Sequence, residues 1–146
     1  MREYHGMRHT PEYEIWKSMK QRCYNPKNKR YSDWGGRGIK MCDRWKNSFK
    51  NFIEDMGKRP PDKHSIDRID NDKDYCPENC KWATLDEQVN NARSNILITY
   101  NGKTLNVSQW SKLVNIKAFT ILARINLLGW SHEKALTTPV RRLKRK

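Results

Sequence analysis

The sequence is short of acidic residues toward its end: between residues 89 and 146 a single one, Glu133, stands against eleven lysines and arginines. A charge-balanced surface is excluded there, and attraction to a polyanion is expected. Apolar length is also scarce. No apolar run approaches the roughly 18 residues that a membrane span needs. Met1 to Thr10 holds charge and histidine where a secretory leader has an apolar core, so no membrane role and a cytoplasmic location are expected. Cysteine is sparse as well. Without a secretory signal, a disulfide framework is the lesser use of Cys23, Cys42, Cys76 and Cys80, which leaves free thiols or a metal site. With 146 residues, the chain has room for one ordinary domain or two very small ones with thin cores.

What the chain does have is positive charge, 30 Lys and Arg against 16 Asp and Glu, for a net +14. Residues 1–88 hold 19 basic and 15 acidic side chains, a net +4, and residues 89–146 net +10. A mixed-charge front is thus joined to a phosphate-seeking back, with a seam near Asn90 to Asn95. Nucleic acid is the expected partner; a merely basic surface and an RNA-associated role are the alternatives.

Local signals punctuate the front half. Thr10 before Pro11 predicts a helix start, with Tyr13, Trp16, Met19, Lys20 and Cys23 near one face and Asn25-Pro26 as the stop. Three glycines around Arg37, in the run from Tyr31 to Trp45, predict a tight turn with Arg37 at its tip. Such a turn is either a hairpin or a backbone that approaches phosphate. Phe49, Phe52, Ile53 and Met56 have helical spacing between Ser48 and Gly57 and are assigned to the core.

Residues 64–91 read as a strand, a polar loop, a second short strand and a helix capped by Thr84. Ile66 and Ile69 are expected to anchor the first strand, and Cys80 and Trp82 to pack inward. On its own the loop holding Asp70, Asn71, Asp72 and Asp74 is a polar turn making local hydrogen bonds. The order Ile-Asp-Arg-Ile-Asp, an Asn-containing loop, Pro-Glu-Asn-Cys, Trp, Thr and Glu-Gln resembles the ββα-metal finger of the HNH nuclease family over about 25 residues.

That resemblance implies an α+β fold: an HNH-like domain over 1–92, a helix-turn-helix module over 93–140 and a basic tail, 141–146. It implies hydrolysis of DNA phosphodiester bonds with Mg²⁺ or Mn²⁺, in the manner of phage and homing endonucleases. If phage-encoded, such a protein would act in the host cytoplasm. Asp67 matches the cation-holding carboxylate, with Asp70 as a further oxygen donor, and Asn79 matches the amide that orients the base. Gln88 falls at a helix position that usually presents His or Asn, and Arg68 replaces the water-activating histidine. Arginine stays protonated and cannot take that proton. Either His64, His5 or His9 supplies the base, with Arg68 and Arg37 holding phosphate, or the protein is a non-catalytic DNA-binding regulator or inhibitor on the same scaffold. The spacing C-x18-C-x33-C-x3-C also allows a structural Zn²⁺ on the four cysteines.

In the back half, Asn101-Gly102 between two apolar runs predicts a hairpin. Ser108 is expected to cap a helix to Val114, Asn115 to end it, and a second helix to run from Lys117 to Leu128. Trp110, Leu113, Val114, Ile116, Ile121, Leu122, Ile125 and Leu128 form the expected core, with Lys117, Ala118, Thr120 and Arg124 outward toward a major groove. This stretch resembles helix-turn-helix modules appended to phage and intron HNH endonucleases, which implies that it selects double-stranded DNA. A helical hairpin packed for structure alone is the alternative. In the tail, Arg141, Arg142, Lys144, Arg145 and Lys146 are expected to add affinity without sequence choice.

Overall fold

A computed structural model describes residues 5–140 and has an α+β architecture. The chain divides into two compact units, Met1–Asn91 and Ala92–Lys146. Among the described residues, the regular sheet consists of two separate two-stranded antiparallel ladders, and no helix is long and apolar enough to cross a membrane.

The first unit begins with helix α1, Pro11–Tyr24, where Thr10 accepts a hydrogen bond from the Tyr13 amide. Met19 and Cys23, one turn apart, are its buried apolar residues; Trp16 is half-buried and donates its indole N–H to the Trp45 carbonyl at 2.7 Å. Helix α2, Asp43–Asn47, and helix α3, Phe49–Met56, bring Trp45, Phe49 and Phe52 into the same core. Ser48 caps α3, and Gly57, at φ +64°, closes it. An aromatic cluster is a compact solution for a small unit, since each ring buries far more area than an aliphatic side chain.

The segment from Tyr31 forms no hairpin. It folds as two consecutive 3-10 turns, Tyr31–Asp33 and Gly35–Arg37. A Cβ on Gly35 would stand 2.1 Å from the Cys23 carbonyl oxygen, so that glycine is required by close packing on the end of α1. Gly38, at φ +89°, turns the chain onward.

Strands β1, Ser65–Arg68, and β2, Cys80–Ala83, pair Asp67 opposite Lys81 and Arg68 opposite Cys80. Helix α4, Leu85–Asn90, follows at once, with Thr84 and Glu87 closing a reciprocal capping box. Ile69 lies beyond the strand and is exposed, so Ile66 alone anchors β1.

The second unit opens with strands β3, Leu97–Tyr100, and β4, Lys103–Asn106, joined through Asn101 and Gly102, both at positive φ as a two-residue hairpin requires. Helix α5, Val107–Val114, starts ahead of Ser108 because Asn106 and Gln109 form the capping box instead. Asn115 ends α5 in the left-handed region (φ 53°), and helix α6, Ala118–Asn126, begins three residues later. A further helix, α7, His132–Thr137, is capped by Ser131. The core gathers Ile98, Trp110, Ile116, Ile121 and Leu136, with the Trp110 indole donating to the Ile98 carbonyl at 2.8 Å. Leu113 and Leu128, expected in that core, are exposed at 58% and 61%; Leu128 lies past α6, which ends at Asn126.

Candidate functional site

In the first unit, alternation along β1 decides what each side chain can do. Ile66 and Arg68 are buried; Ser65 and Asp67 are half-buried on the other face. Arg68 is 5% exposed, donates from Nη1 to the Lys73 carbonyl at 2.8 Å, and lies over the Tyr75 ring at 5.0 Å. Its guanidinium thus ties the loop to the core and is not presented to a phosphate. Arg37 is half-buried; it donates to the Asp33 carbonyl at 3.3 Å and pairs with the Asp72 carboxylate.

Asp67 faces α4. Its Oδ2 accepts from Asn91 Nδ2 at 2.9 Å, and the same amide donates to the Arg68 carbonyl at 2.6 Å. Gln88 donates from Nε2 to the Ile66 carbonyl at 3.2 Å. The Asp67 and Gln88 side chains therefore both serve the join between β1 and α4. Asn91 is the member of this group that sequence reasoning passed over, although it closes the Gln-Val-Asn-Asn run at the end of the helix.

Asn79 is buried and works inside the loop. Its Oδ1 accepts from the Asp70 amide at 2.8 Å, and its Nδ2 donates to the carbonyls of Asp70 and Asp74, both at 3.0 Å. Asp70 turns inward on that loop as well, accepting from the Asp72 amide at 3.0 Å with Lys73 Nζ at 3.4 Å. Those contacts, the Asp72 amide first, hold its carboxyl below the usual carboxylate range. The loop's bonds also reach further than a local turn: Asp74 accepts from the Lys40 amide at 2.9 Å, and Asn71 donates to the Asn91 carbonyl. Glu87 is drawn down to about 2 by the Thr84 amide and then by Lys63, whose ammonium is 2.9 Å away.

Strands β1 and β2 and helix α4 contain no histidine. His64 is exposed, and its described bond is from its backbone N–H to the Ala83 carbonyl. His5 accepts from the Met7 amide and packs against Phe49 at 4.6 Å; His9 is exposed. All four cysteines are free. Burial pushes the thiols of Cys23 and Cys80 up to about 11 and about 12, so both are neutral core groups. Burial also raises Cys42 and Cys76. Among the described residues, no three His, Cys, Asp or Glu side chains are grouped to hold a metal ion. The donor set fits neither a four-thiolate zinc site nor a protein-made cage for Mg²⁺ or Mn²⁺: Asp67 is one carboxylate with amide neighbours.

The second unit presents a different kind of surface. Lys112 and Lys117 are exposed, Thr120 is half-buried, and Glu133 is the only acidic residue over 92–140. Arg124, expected outward, is 7% exposed: Nη1 donates to the Ala135 carbonyl at 2.7 Å and Nη2 to that of Pro139 at 3.2 Å. The side chains that do face outward on α6 begin with Phe119, at 79% exposure. Sequence reasoning placed Ile121, which is fully buried, in the core and named Lys117, Ala118, Thr120 and Arg124 as the outward face, passing over Phe119. Arg141, Arg142, Lys144, Arg145 and Lys146 lie outside the described residues.

No family model, no curated protein and no solved structure matches this chain.

Proposed function

We propose that the protein binds double-stranded DNA through its second unit, and that the first unit is a ββα-finger scaffold that does not cleave. What supports the binding reading is the order α5, a short turn through Asn115, and α6, which suits a helix-turn-helix, together with exposed Phe119 and Asn126 on α6, exposed Lys112 on α5 and exposed Lys117 before α6. Duplex DNA suits such a face because its major groove admits a helix, whereas the deep groove of A-form RNA does not. The basic tail in the sequence adds phosphate attraction. Binding of a labelled duplex and of a matched RNA hairpin, titrated with salt, tests this. Tighter binding to the DNA, falling steeply with salt, is expected; preference for RNA overturns it.

The non-cleaving reading rests on Arg68. At the position where a nuclease needs a group that accepts a proton, a buried, permanently charged guanidinium is already bonded to a carbonyl. A second reading, metal-dependent cleavage, is favoured by the Asp67 carboxylate, held in one orientation by Asn91. In that case the divalent cation has Asp67 as its single carboxylate anchor. Supercoiled plasmid with Mg²⁺ or Mn²⁺ separates the two: intact plasmid supports the scaffold, and nicking abolished by Asp67→Ala supports the enzyme.

A further inference from the structure

We infer that α6 selects A·T base pairs, recognising thymine by its 5-methyl group and adenine by its major-groove edge. The inference rests on the duplex-binding reading above and names what that surface would read. Ile121, fully buried, and Arg124, 7% exposed, fix the inward side of α6. At 100° per residue, Phe119, Ala123 and Asn126 then share the opposite side. Their exposure agrees: Phe119 is 79% exposed, Asn126 is exposed and Ala123 half-buried. Phe119 also lies outside the core cluster of its unit.

The occupant of this face is set by charge. Lys117 immediately precedes α6, Lys112 stands exposed on α5, and one acidic residue occurs in 92–140. A second copy would bring the same positive charge to the same face, whereas a polyanion is attracted to it. Within the major groove, phenylalanine and alanine make apolar contact with the thymine methyl, and asparagine pairs with adenine N6 and N7. Guanine is most often read by arginine or lysine; the one arginine of α6 is engaged with the carbonyls of Ala135 and Pro139, and α6 holds no lysine. Phe119 and Ala123 therefore suit thymine, Asn126 suits adenine, and neither a free arginine nor a lysine is left on the helix for guanine.

The test uses the full-length chain and a random-sequence duplex library. Retained duplexes should be rich in A·T pairs. Replacing every thymine of a retained duplex with deoxyuridine removes only the methyl groups, and should weaken binding about fourfold for each methyl buried. Phe119→Ala should narrow the difference between the two duplexes, leaving only the part that Ala123 contributes, and Asn126→Ala should accept other bases where wild type selects adenine. Both side chains are exposed, so unchanged circular dichroism is expected and confirms that lost selectivity is not lost folding. A G·C-rich consensus, or equal wild-type affinity for the thymine and deoxyuridine duplexes, overturns the inference while leaving DNA binding intact. Retention of no duplex at low salt removes the duplex-binding reading itself.

Discussion

In the first unit the guanidinium of Arg68 donates to the Lys73 carbonyl and lies 5.0 Å from the Tyr75 ring centre. In the second, that of Arg124 donates to the carbonyls of Ala135 and Pro139 and lies 5.1 Å from the Trp130 ring. Among the described residues neither forms a salt bridge, although the charge of Arg68 helps to lower the Asp70 carboxyl; both use carbonyl dipoles and an aromatic face. Guanidinium suits this because it is weakly hydrated and carries a rigid fork of donors. The two differ in reach. Arg68 holds a carbonyl five residues away, within its own strand-loop-strand, whereas Arg124 holds carbonyls 11 and 15 residues away, in α7 and beyond it. One arginine closes a loop; the other docks a helix.

The largest effect expected from this contrast is Arg124→Ala. Two charge-assisted bonds are lost and two carbonyls with them, at about 1.5 kcal/mol each, or about 3 kcal/mol in all. Urea unfolding followed by Trp fluorescence measures it. Arg124→Lys should recover less than half, because an ammonium does not reproduce the fork that spans both carbonyls. Full recovery by lysine would mean that charge, not geometry, docks α7.

Arg68→Ala should cost less, about 2 kcal/mol, for one charge-assisted bond and the stacking over Tyr75. Arg68→His sharpens the point. It places an imidazole at the position where the sequence resembles a nuclease, yet β1 alternation aims that side chain into the core and away from Asp67. The expected outcome is destabilisation with no gain of plasmid nicking in Mg²⁺ or Mn²⁺. Nicking by Arg68→His that Asp67→Ala abolishes would show that the two faces meet at one phosphate.

These arginines also mark where the sequence stops being informative. Thr10 before Pro11, Ser48 before α3, Thr84 before α4, Asn101-Gly102 and Asn115 were all legible, because a cap or turn is a bargain between neighbouring residues and needs no knowledge of the rest of the chain. Asp67 at the end of the first strand and Gln88 within the following helix were legible from the order of the segment. The direction of Arg68 was not legible: it depends on Tyr75 and Lys73 being folded beneath β1. Nor was Arg124, whose partners lie in and just past a helix that the apolar pattern did not announce. Gly35 is similar. Its run of glycines suggested a hairpin, but its requirement comes from the Cys23 carbonyl at the end of α1.

The same comparison extends to the capping boxes, where the two units use one motif with different chemistry. Thr84 and Glu87 cap α4, and Asn106 and Gln109 cap α5. Thr84→Ala and Asn106→Ala should each cost about 1 kcal/mol, read as a shift in the urea midpoint. Equal losses are expected at neutral pH, since both caps accept from the amide three residues on.

Acid should then separate them. Glu87 is a carboxylate whose value falls from 4.5 to about 2 in the folded protein, first through the Thr84 amide and then through Lys63. A depressed folded value means that the unfolded chain takes up the proton first. The stabilisation from this group is therefore complete above pH 4.5, and it is lost progressively as pH falls toward about 2. Gln109 has no proton to gain, so the box on α5 should not respond over that interval. Urea midpoints of wild type and Glu87→Gln, measured from pH 6 down to about pH 2, check this. The wild-type advantage should shrink as acid is added, while Gln109→Ala should cost the same at each pH. If the Glu87→Gln difference stays constant, the ionised carboxylate contributes nothing beyond its hydrogen-bonding shape, and the two boxes are equivalent after all.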